Sequence, residues 1–81
     1  MQVDDTPHRH AELWFDDGSI VIQAENTQFR VHRSILAARS LIFRDMFSFP
    51  QPLDAELVEG CPLARLHDSA AELSVFLRAI F

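Results

Sequence analysis

The chain has 81 residues, a formal net charge of −5 and one cysteine, Cys61. That length permits a single domain, and one small enough that folding buries only about 60% of the surface its unfolded chain exposes. One cysteine excludes an internal disulfide, and the negative balance argues against a nucleic-acid binder, whose phosphate contacts need surplus cations.

The seven basic residues are all arginine, and Arg30, Arg33, Arg39 and Arg44 fall in one stretch that holds no acid until Asp45. Six acids (Asp4, Asp5, Glu12, Asp16, Asp17 and Glu25) precede it, so the two segments are read as offsetting each other across the fold. No apolar run approaches the roughly 20 residues that span a bilayer, so no membrane partner is expected. Met1 to His10 is polar and acidic, without the apolar stretch of a signal peptide. A lone cysteine without an export signal favours a reducing, intracellular setting, cytoplasmic or nuclear.

Met1 to Ala11 has no periodicity and carries Pro7, so residues 1–12 are read as a flexible lead-in and 13–81 as the domain. Leu13-Trp14-Phe15 is a short apolar cluster ended by the turn signal Asp16-Asp17-Gly18. Ile20 to Ala24 is rich in β-branched residues, and Gln28 to His32 alternates, with Phe29 and Val31 on one face. The polar break Glu25-Asn26-Thr27 between them makes a β-hairpin.

After His32 the period becomes helical. Ile35, Ala38, Ile42 and Met46 form one apolar line, with Leu36, Phe43 and Phe47 beside it. Ser40 is a plausible N-cap in the middle, so the stretch divides into helices over about 33–39 and 41–47. Pro50 and Pro52 stop the second helix, and residues 53–62 are expected as a loop or ragged turn closed by Gly60-Cys61-Pro62. Leu63 to His67 is expected as a third short strand. Ser69-Ala70-Ala71-Glu72 fits a capping box, and Leu73, Phe76, Leu77, Ile80 and Phe81 follow as one helix face. Because that face runs to the last residue with no closing cap, the chain is expected to be part of a larger domain.

The run Phe29-Arg30-Val31-His32-Arg33-Ser34-Ile35-Leu36-Ala37-Ala38-Arg39-Ser40, followed by Phe43 and Asp45-Met46-Phe47, resembles the signature of BTB/POZ domains. In that likeness Phe29, His32, Leu36, Ser40, Phe43, Met46 and Phe47 are the signature positions. Leu66-His67-Asp68 with the capped helix after it is similar to the family's third strand and next helix. The leader Leu13 to Gly18, the Pro-Gln-Pro loop and Glu59-Gly60-Cys61-Pro62 resemble fungal members.

The resemblance implies an α+β fold: β-hairpin, helical hairpin, short third strand and a further helix, here an incomplete domain. It also implies protein–protein association, as homo- or heterodimers that recruit partners and, in many members, dock Cullin-3 as ubiquitin-ligase adaptors. This chain departs from the pattern in two places. Ser19 stands where many members open the hairpin with Asp, and Pro50-Gln51-Pro52-Leu53 lacks the apolar-x-Glu motif of Cullin-3 binders, whose form recurs only later, at Leu57-Val58-Glu59.

No catalytic template is present. His32 lacks a nucleophile and an orienting group, so its expected role is to cap the first helix or to pair with a carboxylate. A metal-dependent or hydrolytic site built on His32, His67 and nearby acids is the remote alternative. His8 and His10 are read as incidental, Cys61 as a small buried apolar residue, and no cofactor is expected. Trp14 and Phe49 lie beside chain breakers, where a large ring is harder to bury. With Arg33, Ile35 and Leu36 on the first helix they are the candidate partner-binding residues, a folded-back hydrophobic lid being the equal alternative for the two rings.

Overall fold

The structure, a computed structural model, describes residues 6–49 and 56–81. Its elements in chain order are β1 (His8–Trp14), β2 (Ile20–Ala24), β3 (Thr27–Val31), α1 (Arg33–Arg39), α2 (Leu41–Phe47), β4 (Leu57–Val58), β5 (Cys61–Leu66) and α3 (Ala70–Ile80). The strands form one sheet in the order β1-β3-β2-β5-β4. This is the expected α+β arrangement.

The hairpin has the register that its alternation requires: Ile20 pairs with Val31, Ile22 with Phe29 and Ala24 with Thr27. All but Thr27 of these are fully buried, and they line the face that the helices cover. Of the two turn residues, Glu25 takes a left-handed φ of 54°, a conformation that strains a residue with a Cβ by about 1–2 kcal/mol. Its carboxylate accepts the Ala70 backbone N–H at 2.7 Å, so the hairpin tip also satisfies a free amide at the start of α3.

Both short helices take the expected bounds. Ser40 closes α1, giving its N–H to the Leu36 carbonyl, and opens α2, its Oγ accepting from the Phe43 N–H. Each helix has seven residues, too few to persist without tertiary contacts. Leu36 and Phe43 supply them, packing with Leu13, Leu73 and Leu77 over the hairpin. Only one of the two apolar lines is therefore buried. Ile35 remains 41% and Ile42 74% exposed, because two-turn helices lying on a sheet present a single stripe to it.

Three expectations need correction. The lead-in is not flexible throughout: from His8 it is strand β1, parallel to β3. The partner of Arg9 is Gln28 and that of Trp14 is Arg30, so five steps along β1 match two along β3. His10 Nδ1 accommodates the excess by accepting the N–H groups of Glu12 and Leu13 at 3.2 and 3.1 Å. Part of the expected loop is strand β4, joined to β5 by Glu59 and Gly60 at φ 51° and 80°, the paired left-handed residues of a tight hairpin. The third strand begins at Cys61 rather than Leu63 and ends at Leu66, parallel to β2. The Pro50 and Pro52 stop signal lies outside the described residues.

In α3, Ser69 Oγ accepts from the Glu72 N–H at 3.1 Å, the expected half of a capping box. Leu73 and Leu77 are buried, Ile80 and Phe81 pack at the margin of the core, and Phe76 stays 40% exposed.

If this packing holds the helical pair, Leu36→Ala should lower stability by about 2–5 kcal/mol and Ser40→Ala by about 1 kcal/mol in urea unfolding. An unchanged midpoint for Leu36→Ala would mean that α1 is not seated on the hairpin.

Candidate functional site

The junction between β3 and α1 places most of the candidate residues. Ser19, at the entry to β2, takes the Val31 carbonyl through its N–H, and its Oγ accepts the Arg33 N–H at 2.9 Å. The side-chain bond at the start of α1 therefore comes from across the hairpin. His32 is the N-cap residue by position, but its ring makes no capping bond. Nε2 instead meets Asp17 Oδ1 at 2.9 Å, so the carboxylate pairing weighed from sequence is the one found. A carboxylate only accepts, so Nε2 carries the proton, and Nδ1 is buried with no hydrogen-bond partner. That hydrogen bond from His32 is the main cause holding the Asp17 carboxyl below the usual carboxylate range.

Gly18 is required at this junction by close approach. A Cβ there would lie 2.7 Å from Arg30 Cγ and 3.0 Å from the Val31 carbonyl oxygen. Arg30 Nε and Cys61 Sγ both direct their hydrogens to the Gly18 carbonyl, at 3.1 and 3.5 Å. Cys61 is buried, as expected of a small apolar residue. On the same outer face of the sheet Glu59 accepts from both Arg30 and Arg9, and the Arg9 guanidinium sits 4.4 Å over the Trp14 ring. Trp14 is thus half-buried under its own strand's arginine.

The other candidate residues occupy different layers. Leu36 is fully buried and acts on a partner only through the position of α1. Arg33 donates to the Phe47 carbonyl at 2.8 Å and lies 5.2 Å over that ring, bracing the end of α2. Ile35 faces outward, and Phe49 is 72% exposed beyond α2. Helix α1 forms a ridge, with Ser34 lining a groove on each side. One groove holds Ile35 and Ala38 opposite Phe15, Ile80 and Phe81; the other holds Arg33, Ala37, Arg44 and Phe47. Phe15, His32 and Phe81 meet at centroid distances of 5.2 to 6.1 Å, which closes the base of the first groove. Phe15 has no assigned role in the sequence, and Ser19 enters there only as the residue at the family's hairpin-opening position. A hydroxyl at a strand entry was the available signal for Ser19, and Phe15 was indistinguishable from its apolar neighbours.

The histidines are dispersed. His8 meets the Thr27 hydroxyl, His10 serves the β1 irregularity and stacks 5.1 Å from Phe29, and His32 pairs with Asp17. Among the described residues no three His, Cys, Asp or Glu side chains are placed to hold a metal ion, and no helix is long and apolar enough to cross a membrane.

A sheet fed by a hairpin, a helical pair hinged at one serine and an exposed ridge on the first helix make up an α+β domain. The BTB/POZ domain family model matches residues 10–60 of the 81-residue chain, and the chain belongs to that family of protein–protein interaction modules. The match takes in most of β1, then β2, β3, both short helices and β4; β5 and α3 follow it. Compared with curated proteins and with solved structures, the chain finds no significant match.

The depressed Asp17 carboxyl carries a pH consequence. A carboxyl whose folded pKa is lowered contributes stability above its unfolded value of about 3.8, lost as pH falls through the folded pKa. Asp17→Asn should therefore be less stable than the wild type at neutral pH, and the difference should vanish on acidification below that range. Urea midpoints measured from pH 7 to about pH 2.5 check this; a difference that persists in acid would contradict it.

Proposed function

We propose that this BTB/POZ domain associates with a second copy of itself or a related domain through the outer face of α1 and strand β1, and that the assembly recruits further protein partners. The observation that carries the reading is the half-exposed Ile35 on a ridge bordered by the apolar side chains of Phe15, Ile80 and Phe81. An isoleucine beside three aromatic or branched residues is surface that association removes from water. Ser34, Ala37 and Ala38 are small, so a partner helix can approach the ridge closely. Among the described residues strand β1 lies at the sheet edge, and Phe15, which follows it, lines the groove beside the ridge.

Cullin-3 recruitment has less behind it. In Leu57-Val58-Glu59 the glutamate is engaged by Arg9 and Arg30, so presenting it to a partner means breaking two intrachain ion pairs. We read no enzymatic activity in the chain: His32 spends its Nε2 proton on Asp17, and its Nδ1 meets no hydrogen-bonding group among the described residues. A reducing, intracellular setting accords with the free, buried Cys61.

Sedimentation equilibrium tests the association. The wild-type chain should be a dimer at micromolar concentration, and Ile35→Asp should shift it to monomer with an unchanged circular dichroism spectrum. A wild-type monomer throughout that range overturns the reading.

A further inference from the structure

Three grooves border the helical pair, and their charge is segregated. The two beside α1 carry Arg39 in one and Arg33 with Arg44 in the other, with no carboxylate in either. The third, between α2 and α3, is the reverse: its ionisable lining is Asp68 and Glu72, with no cation. Its base is Phe43 and Leu73, both buried, and its walls include Ile42 and Phe76, both exposed. The Phe43 and Phe76 rings stack at 5.9 Å, so the floor is continuous from one helix to the other. The groove volume is about 250 Å³.

Among the described residues Asp68 and Glu72 are two of four acids, with Asp16 and Asp45, whose side chains meet no partner, and they are the two that line a groove. Glu12, Glu56 and Glu59 each meet an arginine of their own chain, Asp17 meets the His32 ring, and Glu25 takes the Ala70 amide. The Asp68 and Glu72 side chains make no hydrogen bond or ion pair among the described residues. Glu72 stands in the first turn of α3, where the helix end offsets about half a charge. The rim therefore stays negative. An apolar slot with unpaired acids along one side complements a ligand that is both apolar and cationic.

We propose that this groove binds a short amphipathic segment of another protein, carrying a bulky apolar side chain beside a lysine or arginine. The apolar side chain enters between Ile42 and Phe76 and covers Phe43 and Leu73. The cation lies against Asp68 and Glu72, where it gains attraction without displacing a partner among the described residues. The inference rests on the chain being a protein-binding module, and is independent of association through α1.

The test uses the full ¹⁵N-labelled chain and two synthetic helical peptides of about a dozen residues, a length that gives about three turns. Both have leucines one turn apart; one carries two arginines flanking them, and the other glutamates in their place. The arginine peptide should shift the amides of Ile42, Asp68, Glu72 and Phe76. At low salt the Asp68→Asn, Glu72→Gln double variant should bind it about tenfold more weakly, and Ile42→Ser should weaken it by a similar factor. Ile35→Asp, which removes the ridge contact, should leave peptide binding unchanged, so failure of the α1 reading and failure of this one are separable. Equal binding of the glutamate peptide, shifts confined to the grooves beside α1, or no shifts at about millimolar peptide would each overturn the proposal. So would concentration-dependent shifts at the groove without peptide, because a second copy would then be the occupant.

Discussion

The β2–β3 ribbon has one face that must be kept dry, and the rest of the chain is arranged to do so. Ile20, Ile22, Ala24, Phe29 and Val31 all point to that side and are fully buried. A two-stranded ribbon alone is marginal in water, so it needs both wider pairing and a cover. Wider pairing comes from β1 on one side and β5 on the other, each parallel to its neighbour. Because β2 lies between β3 and β5, the chain leaving β3 must pass across β2 to reach the far side of the ribbon. Helices α1 and α2 lie on that crossover, and Leu36 and Phe43 bring the cover to the face that needs it.

Small polar groups fix where each helix begins. Ser19, Ser40 and Ser69 each accept a backbone N–H in the first turn of α1, α2 and α3. Glu25 adds a fourth such bond from the hairpin tip to α3. Helices of seven residues have little intrinsic stability, so these acceptors and the shared core decide their ends together. The arrangement leaves much of both short helices outside. That surplus surface, with arginines beside α1 and unpaired acids between α2 and α3, is where an interaction module has material to work with.

Local signals in the sequence were reliable where neighbours in the chain determine the structure. Alternation from Gln28 to His32 identified the β3 face, and Ser40 located the break between helices, because a strand's pleat and a cap depend on a few adjacent residues. Strand β1 was not legible. His8–Trp14 has no alternation and is held by pairing to β3 nearly twenty positions on, with His10 absorbing the mismatch. Strand β4 has two residues, too short to carry a period. Of the two apolar lines on the helical pair, sequence could not say which would face the sheet. Ile35 and Ile42 look as suited to a core as Leu36 and Phe43, and only the geometry of the crossover separates them. The same ambiguity blurred the candidate site, where Leu36 is core and Ile35 surface although they are adjacent. His32 was legible as structural, but its partner Asp17 is brought near only by the turn that ends at Gly18.

Native-state hydrogen exchange on the chain is the most direct measurement of whether the dry ribbon face organises the fold. Amides of Ile22, Phe29 and Val31 should be the slowest, and those of Ser40 and Leu77, which close α1 and run through α3, should share their opening free energy. Slow exchange in the ribbon beside α1 and α3 amides that exchange as freely as an exposed loop would contradict it, since the sheet would then stand without its cover.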